Sequence, residues 1–122
     1  FNTLKQRCDI LGIDYGKVRQ MVVSDKRIGP SWSIVPYNDY FGYGGFCFIK
    51  DTDASIASDE KLLSDVEDRL KKEVFSRAVD FFKSMRAVNE SLLALRGLTP
   101  EDVCLHDAEL KKKLALRWKG EK

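Results

Sequence analysis

A stretch free of glycine and proline, residues 59–96, constrains the fold of this chain most strongly. Apolar residues recur along it at close to the period of an α-helix, namely Leu62, Val66, Leu70, Val74, Ala78, Phe82 and Met85. Because nothing in the stretch breaks a helix, it predicts a long helix, either continuous or in two pieces. Gly97 follows the stretch and is suited to end the last turn.

Two shorter helices are predicted before this stretch. In residues 2–11 apolar side chains recur at helical spacing, and Gly12 is suited to a left-handed cap after them. Asp14 is suited to cap a second helix through about Val23, because its carboxylate can accept from the first free N–H groups. The N-terminal part of the chain therefore predicts two helices of ordinary length, at about 2–11 and 14–23.

A last helix is predicted over about residues 100–118. Thr99 offers a hydroxyl cap, Pro100 fits the first helical position, and two acidic residues follow in the first turn. Lysines cluster towards its end, where positive charge complements the helix dipole. The whole chain predicts a mainly α fold in a single domain, residues 1–122.

Residues 25–54 interrupt the helical pattern. Glycine and proline punctuate the segment, and aromatic residues crowd it: Trp32, Tyr37, Tyr40, Phe41, Tyr43, Phe46 and Phe48. Loops of this length in small domains are usually functional or disordered, and aromatic side chains favour order because they need burial or a ligand. We therefore predict a long ordered loop over 25–54, with short strand-like runs at 32–35 and 46–49.

Composition and charge limit the classes of function. The chain has 122 residues, 43% of them apolar, and its net charge of +2 gives no support to nucleic-acid binding. No run approaches the roughly 20 apolar residues of a membrane helix, so we expect no membrane partner and a cytoplasmic location. The three cysteines fit reduced thiols, and the single histidine argues against a zinc site. Because the chain opens with Phe1 in a helical pattern, we expect it to be a piece of a longer protein.

The segment from Gly42 to Asp51 carries the most informative chemistry. Glycines before Cys47 let the backbone approach a ligand closely and offer N–H groups to an anionic oxygen. Lys50 could favour the thiolate, and Asp51 could act as a base or orient water. A glycine turn followed by a buried structural cysteine and a surface ion pair is the commoner origin of such a pattern, and it stays an alternative here.

Three ordered segments carry a family resemblance. Gly42–Asp51, GYGGFCFIKD, resembles the signature G-F-G-G-x-C-F-P-K-D of the UDP-glucose and GDP-mannose dehydrogenases. Asp25–Ser31 is similar to the preceding D-x-R-I-G-P-S stretch of the bacterial UDP-glucose enzymes, and Asn2–Val18 resembles the helix and turn before it. Ala87–Glu90 resembles the element in which the central domain of the family ends. The resemblance implies the helical central domain of this family.

The resemblance also implies a role for each matching residue. Family members oxidise the C6 alcohol of a nucleotide sugar to a carboxylate with NAD, holding the intermediate on cysteine as a thiohemiacetal and then a thioester. Cys47 matches that nucleophile, Asp51 the aspartate that helps to activate water, and Lys50 the lysine that orders the site near the nicotinamide. The matching substrate contacts are Gly44, Gly45, Phe48 and Arg27.

Partners and missing parts follow from the same resemblance. Arg27 matches an arginine that reaches a substrate across the dimer interface, which implies a homodimer acting on a UDP-sugar or a GDP-sugar. No G-x-G-x-x-G motif follows a strand in this sequence. We therefore expect the NAD-binding and nucleotide-binding α/β domains outside this chain, and we expect this piece alone to be inactive.

Two departures from the signature favour an alternative function. Phe46 stands where the family has a small or polar residue, and Ile49 stands where it has proline or glutamine. Both flank the nucleophile, and the chain beyond about residue 54 follows the family pattern poorly. The alternative is a helical dimerisation or interaction module that kept the fold and lost catalysis.

Overall fold

The computed structural model describes residues 1–36, 39–105 and 107–118. These residues form the helices α1 (Asn2–Leu11), α2 (Tyr15–Val23), α3 (Phe46–Ser64), α4 (Arg69–Ala94) and α5 (Asp107–Trp118), and the short 3-10 helices Pro30–Ser33 and Asp102–Cys104. No described residue lies in a β-strand, so the predicted mainly α fold is confirmed. Tyr37, which the sequence predicts to lie in the loop, is outside the described residues.

The helices group into two compact units, Phe1–Gly42 and Tyr43–Lys122. The first contains α1, α2 and the 3-10 helix Pro30–Ser33, and the second contains the other helices. The prediction of a single domain over 1–122 concerns how these units combine, and it stays a prediction.

Local signals set the helix ends in the first unit. α1 ends at Gly12, whose φ of 65° is a left-handed conformation that glycine adopts without strain. The N–H groups of Gly12 and Ile13 donate to the last free carbonyls of α1. Asp14 caps α2 by accepting from the Gly16 N–H at 2.8 Å. Both helices occupy the residues that the sequence pattern predicts.

A buried serine ties the 3-10 helix Pro30–Ser33 to α2. The carbonyl of the fully buried Ser33 accepts from the Tyr15 hydroxyl at 2.7 Å, and its Oγ accepts from Arg19 Nε at 2.7 Å. Burial raises the pKa of Tyr15, and the nearby Arg19 opposes that shift. The predicted strand-like run at 32–35 is therefore wrong, because Pro30 presets a helical φ and the Ser33 hydroxyl donates back to the Pro30 carbonyl.

The glycine-free stretch folds as two helices, and the first begins earlier than the sequence pattern predicts. α3 spans Phe46–Ser64, so both the predicted helix start at 59 and the predicted loop to 54 are wrong. The break between the helices falls before Asp68, whose carboxylate caps α4 by accepting from the Lys71 N–H at 2.8 Å. An aspartate cap ends one helix and starts the next without glycine or proline, so the pattern of helix breakers does not reveal it.

Ion pairs cross between α3 and α4. Lys83 Nζ lies 2.6 Å from Glu60 Oε1, and Arg86 Nε lies 2.8 Å from Asp53 Oδ1. As the chain advances along α4, its partners recede along α3, so the two helices run antiparallel. This arrangement brings the C-terminal half of α4 beside the N-terminal half of α3.

The core of the second unit joins α3 and α4 to the C-terminal segment. Its buried apolar side chains are Ile56, Val79, Leu92, Leu93, Leu98, Val103 and Leu110. Burial of this kind stabilises each large aliphatic side chain by about 1.5–3 kcal/mol relative to exposure. Leu110 of α5 belongs to the core, so α5 packs as part of this unit.

The predicted helix start at residue 100 is wrong. The Thr99 N–H donates to Asp102 Oδ2 at 3.1 Å, and the Asp102 N–H donates back to Thr99 Oγ1 at 3.3 Å. This reciprocal pair has the form of a helix cap, but only the 3-10 turn Asp102–Cys104 follows it. Leu105 is extended, with ψ of 156°, and α5 begins at Asp107. The capping residues therefore make a tight turn that Lys113 of α5 anchors by pairing with Asp102.

Candidate active site

A glycine turn leads directly into α3. Gly42 and Gly45 have φ values of 97° and 88°, which residues with a Cβ rarely adopt. Gly45 precedes the helix and supplies no capping side chain. A Cβ at Gly45 would meet no atom within 4 Å, so the backbone conformation alone requires glycine there.

Two hydrogen-bonded anchors hold the turn on either side of Gly44. The amide side chain of Asn89, in α4, accepts from the Tyr43 N–H at 2.6 Å and donates to the Tyr43 carbonyl at 3.1 Å. The Gly45 N–H donates to the Val103 carbonyl at 2.9 Å. Asn89 and Val103 are both buried, so solvent does not compete for these bonds.

Cys47 is the second residue of α3, and it is an exposed free thiol. The predicted strand-like run at 46–49 is therefore wrong, because the glycine turn ends at Gly45 and α3 begins at Phe46. Lys50 and Asp51 follow three and four residues later, the spacings that share one face of a helix. The structure thus brings the predicted nucleophile, cation and carboxylate to one side of the first turns of α3.

Lys50 and Asp51 interact directly. Lys50 Nζ lies 3.1 Å from Asp51 Oδ1, and both side chains are more than half exposed. The hydrogen bond that Lys50 donates to Asp51 raises the pKa of Lys50, and the charge of Cys47 acts in the same direction. Lys50 therefore stays a cation near neutral pH within the electrostatic reach of both the thiol and the carboxylate.

Aromatic rings flank the thiol in the sequence. Phe46 is 63% exposed, and Lys50 Nζ lies 5.9 Å from its ring centroid, which is a cation–π distance. Phe48 is 56% exposed and packs edge-on against Tyr43, with ring centroids 4.8 Å apart. Burial raises the pKa of Tyr43, and its hydrogen bond with Thr52 opposes that shift. The two rings thus have distinct partners: Phe46 lies near the Lys50 ammonium, and Phe48 packs against Tyr43 of the glycine turn.

Arg27 lies in the first unit and is paired locally. Its Nη2 lies 2.6 Å from Asp25 Oδ2, and its side chain is 89% exposed. The hydrogen bond raises the pKa of Arg27 and lowers that of Asp25. The segment that carries Arg27 lies between α2 and the 3-10 helix Pro30–Ser33. The predicted contact of Arg27 with a substrate stays a prediction, as do those of Gly44, Gly45 and Phe48.

The two other cysteines have different surroundings. Cys8 is buried on α1, as expected for a structural thiol. Cys104 is partly buried, and burial raises its pKa, with smaller contributions from Glu101 and Asp53. A raised pKa keeps Cys104 in the less reactive thiol form near neutral pH. Cys47 is therefore the exposed thiol of the three.

The described residues were searched for a metal site, a membrane-spanning helix and a dinucleotide-binding unit. Among the described residues, no group of three His, Cys, Asp or Glu side chains is arranged to hold a metal ion. No helix in the described part of the chain is long and apolar enough to cross a membrane. The described residues contain no strand–helix–strand unit, so they do not fit a dinucleotide by themselves. The predicted contact of Lys50 with NAD stays a prediction.

Comparison with known proteins identifies the family. The sequence model of the UDP-glucose/GDP-mannose dehydrogenase family, central domain, matches residues 1–91. The chain therefore belongs to this family and contains its central domain. We found no significant match among curated proteins or among solved structures. The match extends to residue 91, so the expectation that the chain departs from the family pattern beyond about residue 54 is wrong; the matched range includes the glycine turn, the segment Cys47–Asp51 and Asn89.

The sequence pattern does not reveal the two anchors of the glycine turn. Asn89 is a buried polar residue on the same face of α4 as Leu92 and Leu93. A polar residue within an otherwise apolar stripe is a signal that it has a specific hydrogen-bond partner. Val103 contributes its backbone carbonyl, and no residue type encodes that contact.

Proposed function

We propose that this chain is the central domain of an NAD-dependent nucleotide-sugar dehydrogenase of the UDP-glucose 6-dehydrogenase type. The observation that carries the proposal is the exposed Cys47 thiol at the start of α3, with Lys50 and Asp51 on the same helical turns. The membership of residues 1–91 in the dehydrogenase family supports it. The proposed product is the carboxylate of the sugar, formed at C6.

Cys47 is the proposed nucleophile. Its Sγ adds to the carbonyl carbon of the C6 aldehyde and forms a thiohemiacetal, which keeps the reactive aldehyde on the protein. Oxidation of the thiohemiacetal gives a thioester on Cys47, and water then cleaves it to the carboxylate and the free thiol. When bound, NAD would supply the hydride acceptor for both oxidations, that of the C6 alcohol to the aldehyde and that of the thiohemiacetal to the thioester. The exposure of Cys47 allows a substrate to reach the sulfur without displacement of the core.

Asp51 and Lys50 have proposed supporting roles. Asp51 orients the hydrolytic water and takes up its proton, and helical spacing places its carboxylate on the same face as Cys47. Lys50 is held between Asp51 and the Phe46 ring, so its charge stays near the thiol. There it stabilises negative charge on sulfur or on the oxygen of the intermediate. Gly44, Gly45 and Phe48 are the proposed sugar contacts next to the thiol.

The remaining parts of the enzyme are proposed to lie in other domains of the complete protein. The NAD site needs an α/β unit, and the nucleotide of a UDP-sugar or GDP-sugar needs further contacts beyond the described helices. Arg27 is proposed to reach the substrate from the other subunit of a homodimer, after leaving its local partner Asp25. Without these parts, the central domain alone is proposed to be inactive. The complete protein is proposed to act in the cytoplasm.

An exposed stripe on α4 supports the homodimer. Large apolar side chains recur at intervals of seven residues along and just after α4, at Val74, Phe81, Val88 and Leu95. All four are exposed in the single chain. A strict repeat of seven is typical of helices that pack lengthwise on a partner helix. α4 has 26 residues and is therefore about 39 Å long, which suits an extended contact with a second copy.

An interaction module without catalysis is the second candidate function. The exposed Phe46 ring, directly before Cys47, is the observation that favours it, because a bulky ring narrows the space for a sugar. Under this alternative the α4 stripe still mediates dimerisation, whereas Cys47 has no substrate. The two candidates therefore differ in activity and agree in oligomeric state.

Enzyme assays on the complete protein separate the two candidates. We expect UDP-glucose with NAD to yield two NADH per sugar, and Cys47→Ser to abolish this activity. The matched control is Cys104→Ser, which removes a thiol from the same unit and should retain activity. Equal activity of Cys47→Ser and the unmodified protein would contradict the proposal. A dimer that reduces no NAD with UDP-glucose or GDP-mannose would favour the interaction module.

A further inference from the structure

We propose that Asn89 is a positioning residue that sets the geometry of Cys47 through the backbone of Tyr43. The inference rests on the proposed function, since it concerns the same thiol. Asn89 does not itself contact the reacting atoms in this account. It acts by fixing the start of the glycine turn from which α3 emerges.

The hydrogen bonds of Asn89 leave its amide no alternative arrangement. Oδ1 accepts from the Tyr43 N–H at 2.6 Å, and Nδ2 donates to the Tyr43 carbonyl at 3.1 Å. The Asn89 amide therefore binds both the N–H and the carbonyl of Tyr43. Asn89 is 3% exposed, so breaking this pair would strand polar groups in the core.

The bond between Gly45 and Val103 explains why Asn89 affects the position of the start of α3 as well as the stability of the unit. Gly45 is held by the Val103 carbonyl at 2.9 Å, and the glycine turn from Tyr43 to Gly45 is thus fixed at both ends. Cys47 follows two residues later, in the first turn of α3. If the Tyr43 end is released, Gly44 and Gly45 have the backbone freedom to pivot, because glycine has few excluded conformations. The first turn of α3 then loses its fixed direction.

The position of Asn89 on α4, close to an ion pair with α3, also supports the proposal. The Arg86–Asp53 ion pair joins α4 to α3 one turn before Asn89, with Nε and Oδ1 2.8 Å apart. Glu90 Oε1 also lies 3.4 Å from Arg86 Nε. Asn89 therefore lies one helical turn from a direct contact between α4 and α3, in the part of α4 that lies beside the N-terminal half of α3.

The test measures thiol alkylation and catalysis in the complete protein. In Asn89→Ala we expect the alkylation rate of Cys47 by iodoacetamide to fall at least threefold near neutral pH. The reagent attacks a sulfur that the first turn of α3 holds in one position, and a frayed first turn loses that position. We expect kcat to fall by about tenfold to a hundredfold with KM for the nucleotide sugar nearly unchanged, as for a small misplacement of a reacting group.

Two control variants on α4 separate positioning from general loss of stability. Ser91→Ala removes a hydroxyl that, among the described residues, bonds within the helix to the Ala87 carbonyl at 3.0 Å. Val79→Ala leaves a cavity in the core of the second unit, on the same helix as Asn89 but several turns away from it. We expect both to keep the Cys47 alkylation rate within twofold, although Val79→Ala lowers the melting temperature. Alkylation of Cys8 and Cys104 in each sample reports general opening of the structure.

A second variant keeps the proposal testable if Asn89→Ala does not fold. Asn89→Asp keeps an acceptor for the Tyr43 N–H, but an ionised carboxylate cannot donate to the Tyr43 carbonyl. When protonated, the carboxyl group can donate and accept as the amide does. We therefore expect the Cys47 alkylation rate of Asn89→Asp, relative to the unmodified protein, to recover as the pH falls. The corresponding ratio for Ser91→Ala should be independent of pH.

Opposite results would overturn the proposal without touching the proposed function. If iodoacetamide alkylates Cys47 as fast in Asn89→Ala as in the unmodified protein, and kcat is unchanged, Asn89 has no positioning role. An inactive Cys47→Ser would still support the dehydrogenase in that case. If Val79→Ala changes the Cys47 rate as much as Asn89→Ala does, the effect is one of stability alone. A pH-independent ratio for Asn89→Asp would also contradict the proposal.

Discussion

The backbone N–H of Gly45 donates a hydrogen bond to the carbonyl of Val103, with 2.9 Å between nitrogen and oxygen. This bond connects the residue before α3 to the 3-10 turn Asp102–Cys104, which lies beyond the range matched by the family. The C-terminal segment of this chain is therefore part of the scaffold of the candidate site. Substitutions on either side of the bond test how the turn and the site depend on each other.

Gly45→Ala should destabilise the second unit by about 1–3 kcal/mol, the usual cost of forcing a residue with a Cβ into a disfavoured backbone region. The φ of 88° is the cause, because the added Cβ would contact nothing within 4 Å. Gly29→Ala is the matched control, since Gly29 has an ordinary φ of −66°. Urea unfolding measures both variants, and a Gly45→Ala protein as stable as the control would show that the turn relaxes freely.

Lys113→Met should lower the free energy of unfolding by about 1–3 kcal/mol, because it removes the lysine that pairs with the buried carboxylate of Asp102. Lys112→Met removes a neighbouring exposed lysine and is the control. Chemical denaturation followed by circular dichroism gives both values. An equal loss in the two variants would mean that the pair contributes nothing specific to the turn before α5.

The Asp25–Arg27 pair predicts a pH effect with a defined sign. Because the pKa of Asp25 is lowered in the folded state, the pair contributes stability above the ordinary value of 3.8 and loses it as pH falls through the lowered pKa. Both groups are exposed, so the effect on stability is small. In Arg27→Gln the pKa of Asp25 should rise towards its ordinary value, because the guanidinium is lost while the backbone N–H of residue 27 still donates to the carboxylate; NMR of the side-chain carboxyl follows this titration. Lys26→Gln should leave it lowered, and an identical titration in the two variants would be evidence against the pair.

Phe81→Asp should weaken self-association if the α4 stripe forms the dimer. Phe81 is 66% exposed in the single chain and lies at the middle of the stripe, where a charge would have to be buried against the second copy. Met21→Asp is the matched control, because Met21 is an equally exposed apolar residue on α2. Sedimentation velocity over a range of concentrations should show monomers for Phe81→Asp alone. Dimers of unchanged stability would place the interface elsewhere.

Local signals in the sequence are enough to place α1 and α2. Gly12 ends one helix and Asp14 starts the next, and each acts through hydrogen bonds within four residues along the chain. The start of α3 is harder to predict, because aromatic residues around Cys47 are typical of strands and Gly45 offers no capping side chain. The bond from Gly45 to Val103 is what organises this start, and it depends on distant chain.

The candidate site likewise contains residues that a sequence motif reveals and contacts that only the tertiary structure reveals. Cys47, Lys50 and Asp51 are close in sequence, so a motif reveals them and one helix brings them together. Asn89 and Tyr43 are distant in sequence, and only the antiparallel pairing of α3 and α4 makes them neighbours. Sequence patterns carry the chemistry of the site well, whereas the contacts that position it depend on tertiary structure.

Trapping of the covalent intermediate tests the central claim most directly. Asp51→Asn in the complete protein should slow hydrolysis of the thioester, so incubation with UDP-glucose and NAD followed by rapid acid quenching should leave the oxidised sugar nucleotide attached to Cys47. Mass spectrometry of the peptide that carries Cys47 measures the adduct, and the peptides of Cys8 and Cys104 serve as internal controls. The account predicts an adduct on Cys47 alone that requires both substrate and NAD. Turnover with no adduct on Cys47, or an adduct on another cysteine, would contradict it.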